Sequence, residues 1–176
     1  SEQLDKGKEK KASDAQKNAA EQMELLAQQM EAIQQQSESE SASEDMDALR
    51  ALLENILTLS FEEELLMSEL KTTNEQDPRY VGHGQNQRKL KDDAVMVEDS
   101  LFALSMRIPQ LASAVNREIG LVNRHMGKAL EGFGDRLTAD IAMNQQYVMT
   151  SFNNLALLLD EALQQMQQQQ AQKQPG

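Results

Sequence analysis

The chain has no cysteine and no tryptophan, only three prolines and eight glycines, and aromatic residues make up just 3% of its 176 positions. Without cysteine, disulfides, thiolate nucleophiles and thiolate metal ligands are excluded, although the compartment stays open. With so few aromatic and turn-forming residues, a β-rich fold lacks its material. No run of about 18 apolar residues occurs, the length a helix needs to cross a bilayer. Basic residues are also short: 17 Lys and Arg face 29 Asp and Glu, for a net charge of −12. That balance favours solubility and disfavours nucleic acid and anionic lipid, whose phosphates require clustered Lys and Arg. Lys6, Lys8, Lys10 and Lys11 are diluted by neighbouring Glu and Asp.

What remains is Leu, Met, Ala, Gln, Glu and Lys, all strong helix formers. The composition therefore points to an all-α chain. The sequence starts at Ser1-Glu2-Gln3 without an initiator Met or a signal-peptide pattern, and it reads as a piece of a larger protein.

Residues 1–9 are charged and contain Gly7, which predicts a disordered start. From Lys10 to Gln36, the residues Ala12, Ala19, Met23, Leu26, Met30 and Ile33 recur at steps near three and four. This is a heptad stripe on a helix whose other faces are Gln, Lys and Glu. Its thin Ala/Met face marks it as a possible arm that pairs with another chain. The run Ser-Glu-Ser-Glu-Ser-Ala-Ser at 37–43 has no apolar anchor and predicts a polar loop. Ser43 would then cap the next helix, with Glu44, Asp45 and Asp47 favouring its positive end.

A second helix is expected over 44–71, carrying Leu49, Leu52, Leu53, Ile56, Leu59, Leu66 and Leu70 on a wide stripe. Asp77-Pro78 is a helix-start signal, but Gly82-His83-Gly84 predicts a loop or frayed turn, with firm helix over 85–108. Pro109 should kink or divide the next helical stretch, which continues over 110–131. Gly132 and Gly134 predict a break, and a last helix runs over 137–168 before a Gln-rich tail at 169–176. Four to five long helices with short connections imply an elongated antiparallel bundle or coiled coil.

From Leu49 to Met166 the wording is specific: LRALLENILTLSFEEELLM, DPRYV, LKDDAVMVEDSLFALSMRIPQ, VNREI and QQYVMTSFNNLALLLDEALQQMQ. This stretch resembles the C-terminal helical region of a domain-of-unknown-function family of large, Gln- and Met-rich, membrane-anchored Bacteroidetes envelope proteins. The resemblance covers about two-thirds of the chain. It implies a long parent protein with membrane helices near its N-terminus, and a soluble segment here, with the periplasmic side favoured. It carries no catalytic or ligand residues. Gly82-His83-Gly84 departs from the helix-compatible residues expected after DPRYV.

The residues themselves offer few candidate sites. A di-iron bundle needs Glu-x-x-His, yet Tyr80 precedes His83 and Val122 precedes His125 at that spacing. Glu118 and His125 are seven apart and could share a face. Glu62-Glu63-Glu64 and Asp92-Asp93 occupy consecutive helical positions, so they diverge and read as a solvated face. Asp45-Met46-Asp47 lacks the glycine and terminal Glu of a calcium loop. No nucleophile elbow or phosphate-cradling loop is present. Gly120, Gly127 and Gly134 recur every seven residues and would allow close backbone approach on one continuous helix. Asn116, Asn123, Asn153 and Asn154 could specify register if buried. The ten Met residues fit core filling better than a client-binding groove.

The expectation is a non-catalytic scaffold or protein–protein interaction module, with no catalytic, metal or cofactor residues. Its partner would be another protein or a second copy, held through apolar helix stripes, with no nucleic acid and no direct membrane insertion. The alternative is a Met/Gln-rich client-binding module of chaperone type.

Overall fold

Four α-helices and one 3-10 turn carry the chain in the computed structural model, which describes residues 2–173. Helix α1 spans Glu2–Lys71, α2 Arg79–Arg107, α3 Ala112–Asp135 and α4 Thr138–Lys173, with the 3-10 turn at Pro109–Leu111. Among the described residues there is no strand, and no helix is long and apolar enough to cross a membrane. The fold is all-α.

The chain divides into two units, one ending at Glu44 and the other starting at Asp45. In the first unit the described residues are a single run of helix in which no side chain is buried. Met23, Leu25, Leu26, Met30 and Ile33 are all more than half exposed.

The second unit has a continuous apolar core. Met46, Leu49, Leu52, Ile56, Leu59 and Leu66 of α1 meet Leu90, Ala94, Leu101 and Leu104 of α2. Val115, Ile119, Val122 and Met126 of α3 and Val148, Phe152, Leu155 and Leu159 of α4 complete it. Each fully buried Leu, Ile or Val contributes about 1.5–3 kcal/mol before the entropy of ordering it is counted. A smaller cluster, Leu70, Tyr80, Ala129 and Ile141, closes one end.

Backbone approach is closest between α3 and α4, where Ala129 and Gly132 pack beside Ile141. An added Cβ at Gly132 would lie 2.7 Å from Ile141 Cγ1. Contacts step in opposite directions along successive helices. Asp45 and Glu63 of α1 meet Arg107 and Gln87 of α2, and Glu118 and His125 of α3 meet Asn154 and Asn144 of α4.

Several sequence expectations are corrected. The disordered start at 1–9 is helical from Glu2 onward, Ser1 lying outside the described residues. Gly7 costs about 1 kcal/mol against Ala, but it is flanked by the helix formers Lys6 and Lys8, and Lys6 pairs with Glu2 at 3.9 Å. The loop at 37–43 is also helix. Serine is only a few tenths of a kcal/mol worse than the best helix formers, and neither Gly nor Pro interrupts the run. Gln34 donates to Glu38 and Gln36 to Glu40 across single turns, bridging into the Ser/Glu stretch. Ser43 is therefore not a cap; the compositional change there instead falls beside the division between the two units.

Helix α2 begins at Arg79, not at 85. The Asp77 carboxylate accepts the Arg79 backbone N–H at 2.9 Å, and Pro78 already has helical angles. Tyr80, 2% exposed, packs edge-on against Phe133 with ring centroids 5.7 Å apart, so the first turn is anchored despite Gly82 and Gly84. At Pro109 the chain separates α2 from α3, and Ile108 takes an extended conformation before the proline.

The break at Gly132–Gly134 lies instead at Arg136, so α3 ends at Asp135 and not at 131. Arg136 is left-handed, at φ 54°, in a Schellman arrangement in which Leu137 N–H donates to the Gly132 carbonyl at 3.0 Å. Its side chain donates to the Glu75 carbonyl and lies over the Tyr80 ring. Helix α4 continues through the Gln-rich stretch to Lys173; Gln174, Pro175 and Gly176 lie outside the described residues.

Candidate functional site

Buried polar groups are the unusual feature of the second unit. Glu63 of α1, Gln87 of α2 and Gln145 of α4 are all fully buried. Gln145 Nε2 donates to Gln87 Oε1 at 3.0 Å, and Gln87 Nε2 donates to Glu63 Oε2 at 2.9 Å. Three helices are thus joined by one directional chain of hydrogen bonds that ends on a carboxyl group. Glu63 Oε1 and Gln145 Oε1 have no hydrogen-bond partner among the described residues. Burial pushes the Glu63 carboxyl up to about 7, and the bond from Gln87 opposes this only in part.

The same pairing recurs twice. Asn123 Nδ2 of α3 donates to Glu98 Oε2 of α2 at 3.2 Å, and Asn154 Nδ2 of α4 donates to Glu118 Oε1 of α3 at 3.4 Å. Each carboxylate is buried and receives one amide from the following helix, and its other oxygen has no partner. Desolvation also raises the Glu98 carboxyl, opposed by the Asn123 bond. Ser60 Oγ donates to Asn153 Oδ1 at 3.2 Å, adding a link from α1 to α4. A buried polar group left without its partner costs about 1–3 kcal/mol, so these bonds disfavour any slipped register.

The reading of Glu62-Glu63-Glu64 as a solvated face is corrected for its middle member. Glu62 and Glu64 are exposed, but Glu63 falls on the core stripe with Ile56, Leu59 and Leu66. Asp92 is exposed and Asp93 half-buried, the latter 3.8 Å from Lys89. Of the asparagines, Asn116 is exposed; Asn123, Asn153 and Asn154 sit mostly in solvent but send their amides to buried groups. Gln87, Gln145 and the buried Asn144 were not singled out from the sequence. The signal was available: each occupies an apolar-stripe position, Gln87 three before Leu90 and Gln145 three before Val148.

The histidines are separate. His125 donates from Nδ1 to Asn144 Oδ1 at 2.9 Å and stacks on Tyr147 at 4.6 Å. Asn144 Nδ2 in turn donates to the Asp140 carbonyl, which orients the amide and assigns the tautomer. Glu118 is not brought to His125, since its partners are Asn154 and Arg117.

His83 lies 2.9 Å from Thr73 Oγ1 and 3.9 Å from Glu69 Oε2. This hydroxyl–imidazole–carboxylate order has the connectivity of a nucleophilic triad. Its protons run the wrong way: Thr73 Oγ1 donates to the Glu69 carbonyl at 2.7 Å, so His83 Nε2 must donate to Thr73 rather than accept its proton. The three groups close the end of α1. Among the described residues no three His, Asp or Glu side chains cluster to hold a metal ion.

Gly120, Gly127 and Gly134 have open space around an added Cβ, so their seven-residue spacing does not mark a close approach. Of the methionines, Met46, Met126 and Met149 are buried, whereas Met23, Met30, Met96, Met106 and Met143 are exposed. Core filling thus accounts for a minority of them, and Met30 is not among these. Two shallow grooves indent the second unit, one lined by Leu65, Glu69, Asn86 and Lys89, the other by Tyr80, Arg88, Phe133 and Arg136.

Comparison of the chain with protein-family models, with curated proteins and with solved structures returns no match.

Proposed function

We propose that this chain is a non-catalytic interaction module of a larger membrane-anchored envelope protein, in which residues 45–173 form an antiparallel four-helix bundle and the N-terminal part of α1 is the binding element. One observation carries the reading: Met23, Leu26, Met30 and Ile33 form a heptad stripe that is wholly exposed. A solitary amphipathic helix gains most of its stability from covering its apolar face. The buried carboxyl–amide pairs support a bundle of fixed register, since such pairs specify alignment rather than perform chemistry. The resemblance over Leu49 to Met166 supports the envelope setting, on the periplasmic side.

A photo-crosslinking residue in place of Leu26 of the parent protein tests the reading in living cells. Covalent adducts concentrated at position 26, and absent when the probe replaces exposed Glu21, are the expected result. No adduct at either position removes the arm as a binding element.

A second reading has its own support. Met96, Met106 and Met143, at 71%, 84% and 52% exposure, lie on the second unit. Flexible Met side chains suit promiscuous apolar surfaces, as a client-binding module requires. Binding of an unfolded apolar peptide, lost in a Met96→Gln/Met106→Gln variant, would favour this reading over the first.

A further inference from the structure

The exposed stripe of the first unit carries information about its partner. On its two flanks lie Ala20, Gln22, Ala27, Gln29, Gln34 and Gln36, all uncharged. The charges of the same stretch, Lys17, Glu21, Glu24 and Glu31, sit on other faces of the helix. Flanking positions usually carry the charges by which one helix selects a different partner helix. Here they carry none, so nothing at the seam repels an identical helix.

Charge is placed instead at the two ends of the segment. Residues 6–17 hold five lysines, Lys6, Lys8, Lys10, Lys11 and Lys17, against Glu9 and Asp14, for a net +3. Residues 38–44 hold Glu38, Glu40 and Glu44 and no basic residue, for a net −3. Two parallel copies would bring each end against its own sign. Two antiparallel copies that seat Met23 opposite Ile33 and Leu26 opposite Met30 direct the basic end of each helix toward the acidic end of the other. The apolar stripe lies midway between the two charged ends, as a two-fold antiparallel pair requires.

We propose that residues 6–44 of α1 pair antiparallel with the same segment of a second copy of this chain. The inference rests on the interaction-module reading and names the partner of that stripe. It makes the parent protein self-associating, with the first unit as the tie between copies.

Sedimentation equilibrium of the full chain, from low to hundreds of micromolar, is the test. The expected result is a dimer of twice the monomer mass. A Leu26→Glu/Ile33→Glu variant is expected to sediment as a monomer while its second unit, at concentrations where the chain is monomeric, melts unchanged, because both side chains are more than half exposed. A Glu38→Lys/Glu40→Lys/Glu44→Lys variant is expected to dimerise about tenfold more weakly.

Orientation is read from disulfides, which the natural chain cannot form. Met23→Cys protein mixed with Ile33→Cys protein should crosslink between the two variants, and Met23→Cys alone should not. A dimer crosslinked 23 to 23 overturns the antiparallel arrangement, and a monomer at every concentration overturns pairing altogether. If the chain is monomeric but the position-26 probe captures a different protein in cells, the interaction-module reading survives and only the identity of the partner falls. If neither occurs, both fall.

Discussion

Gln87 of α2 donates its amide to the Glu63 carboxyl of α1 across 2.9 Å, and neither side chain reaches solvent. Glu63 gains one hydrogen bond in exchange for its hydration, and burial raises its carboxyl to about 7 from an ordinary 4.5. The folded chain therefore holds a proton that the unfolded chain releases. Between those two values the native state binds more protons, so stability falls as pH rises. The shift corresponds to roughly 3 kcal/mol, present in full below pH 4.5 and lost as pH passes 7.

Glu98 contributes in the same direction. Asp77 acts oppositely: the Arg79 side chain holds its carboxyl at about 2, so its contribution is present above the ordinary carboxylate range and lost on acidification through pH 2. Urea titrations of the second unit should show greater stability at pH 5 than at pH 8. Glu63→Gln should remove most of that difference by raising stability at pH 8. An unchanged slope would mean that Glu63 is ionised without penalty.

Gln87 both gives a hydrogen bond to Glu63 and accepts one from Gln145. Replacing it with Leu leaves a buried carboxyl without its donor and strands the Gln145 amide. The expected loss is about 2–4 kcal/mol at neutral pH, since each orphaned buried group costs about 1–3 kcal/mol. Replacing all three residues, Glu63→Leu/Gln87→Leu/Gln145→Leu, should recover that loss or exceed it, because an apolar layer of similar volume has nothing to desolvate. Denaturation of the single and triple variants gives the coupling directly. If the triple variant were also less cooperative in unfolding, the layer would be specifying a unique packing at a cost in stability.

The all-α character was legible because Leu, Met and Ala recur at helical spacing and few residues break helices. The core stripe Leu49, Leu52, Ile56, Leu59 and Leu66 is buried throughout. The sites of interruption were harder to read. Ser37 to Ser43 was a plausible loop by composition, but serine weakens a helix only slightly and tertiary contacts are not needed to carry it through. Gly82 and Gly84 looked disruptive because their cost is local, while the compensating burial of Tyr80 against Phe133 joins residues 53 apart in sequence. Arg136 ends α3 in a conformation usually left to glycine. The polar layer was hidden for a similar reason: Glu63 lies between two exposed glutamates, and only its phase with Ile56 and Leu66 separates it from them.

Glycines on α3 should respond in opposite directions to one substitution. Gly120 and Gly127 have nothing within 4 Å of an added Cβ. Alanine there should stabilise the second unit by about 0.5–1 kcal/mol each, the ordinary helical preference. At Gly132 the same Cβ would meet Ile141 Cγ1 at 2.7 Å. Ile141 is fully buried and cannot swing into solvent, so overpacking of about 1–3 kcal/mol outweighs the helical gain. Thermal melts of the three single variants would show two rises and one fall. A stable Gly132→Ala variant would mean that α3 and α4 can separate slightly without loss.

Leucines of the two units should differ most of all. Leu49 and Leu159 are fully buried in the core of the second unit, and truncation to alanine should cost about 2–5 kcal/mol, including the cavity left behind. Leu26, 57% exposed on α1, belongs to the first unit, where no described side chain is buried. At concentrations where the chain is monomeric, Leu26→Ala should leave the main unfolding transition within about 0.5 kcal/mol of its starting value. At concentrations that favour paired arms, the same variant should lower whatever part of the melting temperature depends on concentration, because mass action transmits the lost seam to the fold. Melts across a hundredfold range of protein separate the two regimes. A concentration-independent loss of several kcal/mol at Leu26 would show that its stripe is covered within a single chain, and the first unit would then be part of the core rather than a surface for another copy.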